Sequence, residues 1–414
     1  MRQLSILVLS VMGLSPVAPR PTEREQRLIT QSSQTTQSAR NTKRRVITQL
    51  SSSATSESKP YLKLNLSNRQ IRLFELRPAE GASDIRGSFR CEELATCSPY
   101  IALSYTWGDQ TTQKKIHLDD GSTISVGENL WAFLRLQSSI ITQPTLLWID
   151  AICINQANLH ERNHQVGLMK QIYVCATDVF VWLGSKADNS DLAMEFIIQQ
   201  TNKPLRKRGS GYYPIWRGEV GKALHTLCER PYWSRMWIIQ ELLHAEKITV
   251  WCGKKSFEWT DFESLYLKLK TLEDTNWFAH HKFHMAVMQS AAMTMVWQRA
   301  HWRHPDTPAP RLQRLIEIFR DWKCMEIKDK VFALVGMAAA RITTVPDYAL
   351  STREVYFMVM DEVDTDRDHF ANLLSQVLGL AARDCDLDEH DLIEYKVQPA
   401  ERLVLRARIM DEWD

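Results

Sequence analysis

The residues best suited to chemistry are concentrated in one stretch, Arg230-Pro231-Tyr232-Trp233-Ser234-Arg235-Met236-Trp237-Ile238-Ile239-Gln240-Glu241-Leu242-Leu243. On a helix, Trp233, Trp237, Gln240, Glu241 and His244 would share one side, which sets the Glu241 carboxylate among indole rings and aliphatic neighbours. An unpaired buried ion is costly, so Glu241 must pair with an arginine such as Arg235 or Arg230, keep its proton, or face a cleft where a ligand completes it. A second acid, Asp150, sits in the apolar run Leu146 to Ile154 with no charged neighbour in sequence. Near the carboxyl end of a parallel strand it would point into the crevice where open α/β sheets bind ligands. As a loop acid it would instead accept backbone N–H groups. Ser104, Tyr105 and Asp109 close another apolar run, Tyr100 to Tyr105, and would line the same crevice.

Other motifs lead away from familiar chemistries. His280, His281 and His284 have helical spacing for a metal pair, but no cysteine lies nearby and no H-E-x-x-H order occurs. Asp384, Asp386 and Asp388 begin like a calcium loop, yet Glu389 stands where glycine is needed and Tyr395 where the bidentate glutamate should be. Arg206 to Gly211 lacks the Gly-Lys-Ser order of a phosphate-binding loop and reads as a solvated loop. No G-x-S-x-G elbow is present for a serine hydrolase. Neither a metal nor a resident cofactor is expected.

The elements that must position these side chains follow from the hydrophobic pattern. Gln70 to Leu76 reads as a strand stopped by Pro78. The runs ending at Tyr105 and Ile154 have the continuous apolar character of strands covered on both faces. Asn158 with Glu161 has the spacing of a capping box, opening a helix with the stripe Val166, Met169, Tyr173 and Ala176. Val179 to Leu183 returns as a strand, completing a parallel crossover unit. A second unit follows: helix Glu219 to Glu229, a break at Pro231, a helix capped by Ser234 through His244, and the strand Lys247 to Cys252 closed by Gly253. Leu312 to Trp322 reads as helix, Val331 to Val335 as strand or buried helical turn, and Ser351 with Glu354 as a capping box for the helix Arg353 to Val363.

With 414 residues, 44% of them hydrophobic, the chain can build a sizeable core. A net charge of +2, from 51 basic against 49 acidic side chains, gives no global field to recruit nucleic acid or an anionic membrane. The eight cysteines are scattered without a C-x-x-C pair, which fits a reducing, cytoplasmic compartment. Leu4 to Leu14 is apolar but too short to span a bilayer, and Arg20 to Ser58 has little to bury. The expected organisation is a disordered leader at 1–59, an α/β core at 60–253, an accessory helical insertion at 254–310 and a mainly helical C-terminal region at 311–414.

Three blocks resemble the heterokaryon-incompatibility (HET) domain of filamentous fungi: Tyr100 to Asp109; Leu147 to Gln156; and Glu161-Arg162 through Met169, Ile172-Tyr173 and Ala176 to Gly184. Arg230 to Leu242, Asp329 to Gly336 and Pro346-Asp347-Tyr348 with Glu354-Val355-Tyr356 resemble segments that follow in such proteins, so the likeness spans roughly residues 70 to 360. The resemblance implies a part in non-self recognition and programmed cell death. The family is in turn similar to Toll/interleukin-1 receptor (TIR) domains, which have a flavodoxin-like parallel sheet flanked by helices and of which some cleave NAD. Ser104-Tyr105 with Asp109 is similar to their first-strand signature, and Ser234-x-x-Trp237-x-x-x-Glu241-Leu242 to their catalytic helix, although here Trp lies one residue later and Ile238 replaces Cys. On that resemblance Glu241 is the catalytic acid of an NAD glycohydrolase. Ser104, Tyr105, Trp107, Gly108, Asp109, Asp150, Asn155, Gln156, Ser234, Arg235 and Trp237 line the substrate site. NAD is then a substrate rather than a cofactor, and the protein is a homo-oligomer on activation, triggered by an upstream sensor whose identity the residues do not give. The alternative is a non-catalytic signalling module of the same fold, with aromatic patches as partner surfaces. Neither reading involves nucleic acid or a stable membrane span.

Overall fold

The apolar runs become the centre of a nine-stranded sheet in the computed structural model, which describes residues 61–81, 84–201, 218–273, 282–339, 346–361, 367–381 and 384–385. The strands are β1 (Gln70–Leu76), β2 (Arg86–Glu93), β3 (Ile101–Tyr105), β4 (Gln113–Leu118), β5 (Thr123–Gly127), β6 (Thr145–Trp148), β7 (Asp178–Trp182), β8 (Ile248–Cys252) and β9 (Lys255–Glu258). Their order across the sheet is β5-β4-β2-β1-β6-β3-β7-β8-β9. The central strands β6, β3, β7 and β8 run parallel. Taken in chain order these four lie 2-1-3-4, the beginning of the flavodoxin-like arrangement. The flanks are largely antiparallel: β1 pairs with both β6 and β2, β4 with β5, and β9 with β8, while β2 and β4 pair in parallel.

The helices before β8 are α1 (Glu128–Ile140), α2 (Asp150–Cys153), α3 (Leu159–Gly167), α4 (Met169–Cys175), α5 (Ser190–Thr201), α6 (Glu219–Cys228) and α7 (Ile238–His244). A 3-10 turn, Pro231–Ser234, separates the last two. Beyond β9 the described chain is helical: α8 (Trp259–Glu273), α9 (Lys282–Met288), α10 (Ala291–Trp302), α11 (Leu312–Phe319), α12 (Asp329–Val335), α13 (Thr352–Asp361) and α14 (Arg367–Leu378). The architecture is therefore α/β, a mixed and centrally parallel sheet flanked by helices with a helical C-terminal region. Phe133 of α1 meets Trp182 of β7 at a 5.8 Å ring separation, and Tyr173 of α4 meets Trp148 of β6 edge-on at 5.6 Å. Fully burying side chains of this size contributes about 2–3 kcal/mol each.

Several expectations change in detail. The apolar run from Leu146 is not one strand: β6 stops at Trp148, and Asp150 opens the short helix α2. The helix capped by Asn158 splits at Leu168, whose N–H is shared between the carbonyls of His164 and Gln165, a local tightening that ends α3 and starts α4. The Asn158 side chain does accept from the Glu161 N–H at 3.2 Å, but the Glu161 carboxylate does not close the reciprocal half of a capping box. It turns to Arg72 instead. Ser351 and Glu354 form the complete reciprocal box, with bonds of 2.7 and 3.2 Å. Ser234 does not cap α7: its hydroxyl donates to the Pro231 carbonyl, and its own carbonyl accepts from the Lys323 N–H at 2.6 Å. This long-range tie holds 234–237 out of the helix, so α7 begins only at Ile238. Val331 to Val335 is helical within α12. The expected leader, Arg206 to Gly211, His280 with His281, and the acidic stretch from Asp386 onward lie outside the described residues. Among the described residues no helix is long and apolar enough to cross a membrane.

Candidate active site

Strand β3 carries Ser104 into the centre of the sheet, where it is 0 % exposed. A buried hydroxyl must find partners. Ser104 donates to Oε2 of Glu241 and lies 2.6 Å from the hydroxyl of Tyr232. A serine has one proton to give, so with Glu241 ionised the order of donation is Tyr232 to Ser104 to Glu241. Tyr232 is placed by the 3-10 turn, which has Pro231 at its first position, and by the edge of Trp233, whose indole N–H is anchored on the Leu227 carbonyl at 3.0 Å. Glu241 is placed by α7, which is buried from Ile238 to Leu243.

Helix α7 is too short to hold itself, and later parts of the chain secure it. Arg299 of α10 donates to the Leu242 carbonyl, Arg303 donates to the Ala245 carbonyl at 2.9 Å, and the Gln240 amide donates to the Ala333 carbonyl of α12 at 3.0 Å. These bonds satisfy carbonyls at two helix ends, from the buried Arg299 and Gln240 and the exposed Arg303. The Met236 N–H donates to the Lys323 carbonyl at 2.8 Å, adding a backbone tie at the start of α7.

Burial raises the Glu241 carboxyl to about 7; the Arg235 charge and the Ser104 hydrogen bond pull it down, and Asp150 pushes it up. Burial likewise raises Asp150, opposed by Arg235 and by the Trp107 indole, which donates to Oδ2 at 2.8 Å. Burial works against the charge of Arg235, but Glu241 and Asp150 outweigh it and hold this guanidinium above its ordinary range. Arg235 is anchored by donating to the Tyr105 carbonyl. The result is a buried carboxylic acid poised between its two protonation states, with a hydroxyl chain on one side and a half-buried cation with a second acid on the other.

Ser104, Tyr105, Trp107, Asp150, Arg235 and Glu241 are thus brought together. Asp150 matches the loop-acid reading, its other oxygen accepting the Ala151 N–H at 2.7 Å. Gln156 acts one step out, donating to the Asp150 carbonyl at 2.9 Å. Asn155 belongs to a different centre: its N–H donates to Glu161 at 2.6 Å and its side chain accepts from the Ala157 N–H. Gly108 turns the chain with φ +69°, a conformation that suits glycine. Asp109 is exposed and accepts from both the N–H and the hydroxyl of Thr111, which lowers its carboxyl; it shapes the turn and stays outside the cluster. Ser234 faces its own turn. Trp237, half-buried at the start of α7, hydrogen-bonds the Asp329 carboxyl on α12. Sequence reasoning missed Tyr232 as a polar participant, and it missed Tyr173, which donates to the Leu103 carbonyl at 3.2 Å and feels the charge of Glu241. Tyr173 reads as part of a core stripe and Tyr232 only as a member of the aromatic stretch, and their hydroxyl positions reveal more.

Among the described residues, no group of three or more His, Cys, Asp or Glu side chains is arranged to hold a metal ion.

Residues 100–241 match the family model described as "Heterokaryon incompatibility protein (HET)", a span that begins just before β3 and ends on Glu241. Among curated proteins, the chain is 28% identical over 345 residues to Heterokaryon incompatibility protein 6, OR allele, of Neurospora crassa, covering 68% of this chain and 49% of that protein. The chain therefore spans about half the length of that relative. No solved structure matches it.

Proposed function

We propose, on the premise that this chain carries a heterokaryon-incompatibility domain across residues 100–241, that it acts in fungal non-self recognition and that Glu241 gives it an NAD-cleaving activity leading to cell death. The incompatibility role is suggested by the printed name of the Neurospora relative. The chemistry rests on one observation: a single carboxylate, raised to about 7, lies against Ser104 and beside Arg235 and Asp150 at the carboxyl end of β3.

In the proposed reaction, NAD and water give nicotinamide, ADP-ribose and a proton. The bond between ribose C1′ and the nicotinamide nitrogen breaks with both electrons going to that nitrogen, which neutralises the pyridinium ring. Positive charge then spreads over C1′ and the ring oxygen, as in glycoside hydrolysis. Ionised Glu241 stabilises that charge, held in place by the Ser104 hydroxyl. Water adds its oxygen to C1′, and its proton leaves through Glu241 to solvent. Trp107 offers a ring face beside Asp150. Nicotinamide is a good leaving group and needs no general acid.

Glu241 is 2 % exposed, so the resting conformation keeps a dinucleotide away from the carboxylate. The proposal therefore includes an opening of the Trp107, Asp150 and Arg235 rim, favoured by self-association. That same burial is the observation behind the second reading, a non-catalytic signalling module. Nicotinamide release by the purified chain over a rising concentration series separates the two. The expected result is turnover that climbs more steeply than protein concentration and is abolished by Glu241→Gln. No NAD loss at any concentration, or wild-type turnover by the variant, favours the signalling module.

A further inference from the structure

Of the two arginines in the stretch 230–243, Arg235 acts on Glu241 and Arg230 does not. Arg230 is half-buried and stands just before the 3-10 turn. Its Nη1 donates to the Leu183 carbonyl at 2.7 Å and to the Ser185 carbonyl at 3.1 Å, which uses both hydrogens of that nitrogen. The guanidinium is thereby fixed over the turn that leaves β7. Its other edge, Nε with Nη2, makes no hydrogen bond or ion pair with any of the described residues. Lys186 in the same turn differs, because its charge is committed to Asp191.

The position of this edge bears on the Glu241 site. Strand β3 pairs in parallel with β6 on one side and β7 on the other, and the chain visits β6 before crossing back to β7. Such a reversal makes a crevice outside the carboxyl ends of the strands, where open α/β sheets bind ligands. Tyr105 and Trp182 end the two strands side by side. Arg235 donates to the Tyr105 carbonyl at the end of β3, and Arg230 holds the carbonyls just after β7. Gly184 lies in that turn with φ +102°, and a side-chain carbon there would stand 3.4 Å from Arg230 Nη1 and 3.7 Å from Asn129 Oδ1. Glycine therefore leaves the gap between them open. Asn129 is itself fixed, donating to the Thr106 carbonyl at 2.6 Å and accepting from the Trp182 indole at 2.8 Å. The 3-10 turn after Arg230 carries the Tyr232 hydroxyl to within 2.6 Å of Ser104. One short segment thus serves both the Glu241 hydroxyl chain and the end of β7.

A guanidinium edge with parallel N–H groups matches two oxygens of a phosphate. We infer that Arg230 binds the diphosphate of the dinucleotide through Nε and Nη2, while the nicotinamide ribose reaches inward to Glu241. The inference rests on the NAD reading of the Glu241 site, and its test does not use turnover. Phenylglyoxal, an arginine-specific reagent, is applied to the full chain with and without ADP-ribose, and Arg230 is followed by peptide mapping. Arg230 reacts in the free chain. ADP-ribose or inorganic diphosphate at about 1 mM slows its modification by about tenfold, and adenosine does not. Calorimetry of Arg230→Lys, which keeps the charge but lacks the fork, shows ADP-ribose affinity reduced about tenfold. That variant is checked for native melting because Arg230 also holds the β7 turn, and where it does not melt natively the labelling alone decides. The inference is overturned if Arg230 does not react, if ADP-ribose leaves its rate unchanged, or if adenosine protects it equally. Wild-type ADP-ribose affinity in a natively melting Arg230→Lys overturns it as well. Binding through Arg230 without NAD loss removes the glycohydrolase reading alone, whereas NAD loss with Arg230 unprotected removes the diphosphate site alone.

Discussion

Among the buried carboxylates, Glu161 at 6 % exposed and Glu241 at 2 % are partnered in opposite ways. Glu161 on α3 meets the fully buried guanidinium of Arg72 on β1 at 2.8 Å and also accepts the Asn155 N–H. Arg72 in turn reaches the carbonyls of Leu62 and Cys153. Every oxygen and nitrogen there has a fixed counterpart, so the pair is a strut that joins β1 to the loop after α2. Glu241 has hydroxyls instead. The charge that acts on it most strongly, Arg235, is anchored on a backbone carbonyl and also acts on Asp150, and burial outweighs it, so the carboxyl stays near 7. The difference teaches that burial alone does not mark a functional acid. What sets Glu241 apart is burial with partners that tolerate both protonation states, the property the proposed function draws on.

The largest effect separating the two acids is expected at the strut. Arg72→Met should cost about 3–5 kcal/mol of unfolding free energy, because it leaves Glu161 buried without a counter-charge. Denaturant unfolding measures this, and a loss below about 1 kcal/mol would mean that Glu161 is not held as a pair. Glu241 should behave in the reverse sense. Its folded-state carboxyl lies above the ordinary 4.5, so the folded protein keeps a proton that the unfolded chain releases, and stability falls as pH rises from about 4.5 to 7. Ionising it costs the fold roughly 3 kcal/mol. Glu241→Gln is therefore expected to stabilise by up to roughly 3 kcal/mol at pH 8 and by little at pH 5; equal destabilisation at both pH values would remove the contrast.

Two smaller effects sharpen the picture. Arg299→Met strips the donor from the Leu242 carbonyl and should cost about 1–3 kcal/mol. Hydrogen exchange should then quicken first in α7, whereas uniform loosening of the sheet would argue against a local support. Tyr232→Phe removes the donor to Ser104 and should cost about 1 kcal/mol while moving the Glu241 titration upward. A carbon-13 titration of the labelled carboxyl reads that shift, and an unchanged midpoint would detach Tyr232 from the chain.

Much of this was legible beforehand where the signal is local. Alternation ended by Pro78 gives β1 its observed bounds, and the unbroken apolar runs give β3 and β7 within a residue or so. Strands β2 and β4 escaped because they lie toward one edge and carry arginines and lysines among their apolar residues, so their pattern resembles a polar loop. The late start of α7 was also hidden, since the backbone bonds between 234–236 and Lys323 come from a distant segment. That Ser104 and Glu241 share one site was implied by the TIR resemblance alone; the parallel-sheet reading grouped Ser104 with Asp150. Tyr232 was implied by neither, because a tyrosine within an aromatic cluster has the same sequence signature whether or not its hydroxyl is used. The dependence of α7 on Arg299 and Gln240 likewise has no local trace.

The measurement closest to the central claim is the pH profile of nicotinamide release by the purified chain between about pH 5 and 9. If Glu241 acts as the ionised carboxylate, turnover rises through about pH 7 and levels off above it, and Glu241→Gln loses about a hundredfold or more across the range. A profile flat through neutrality, or turnover that survives the substitution, would contradict the assignment.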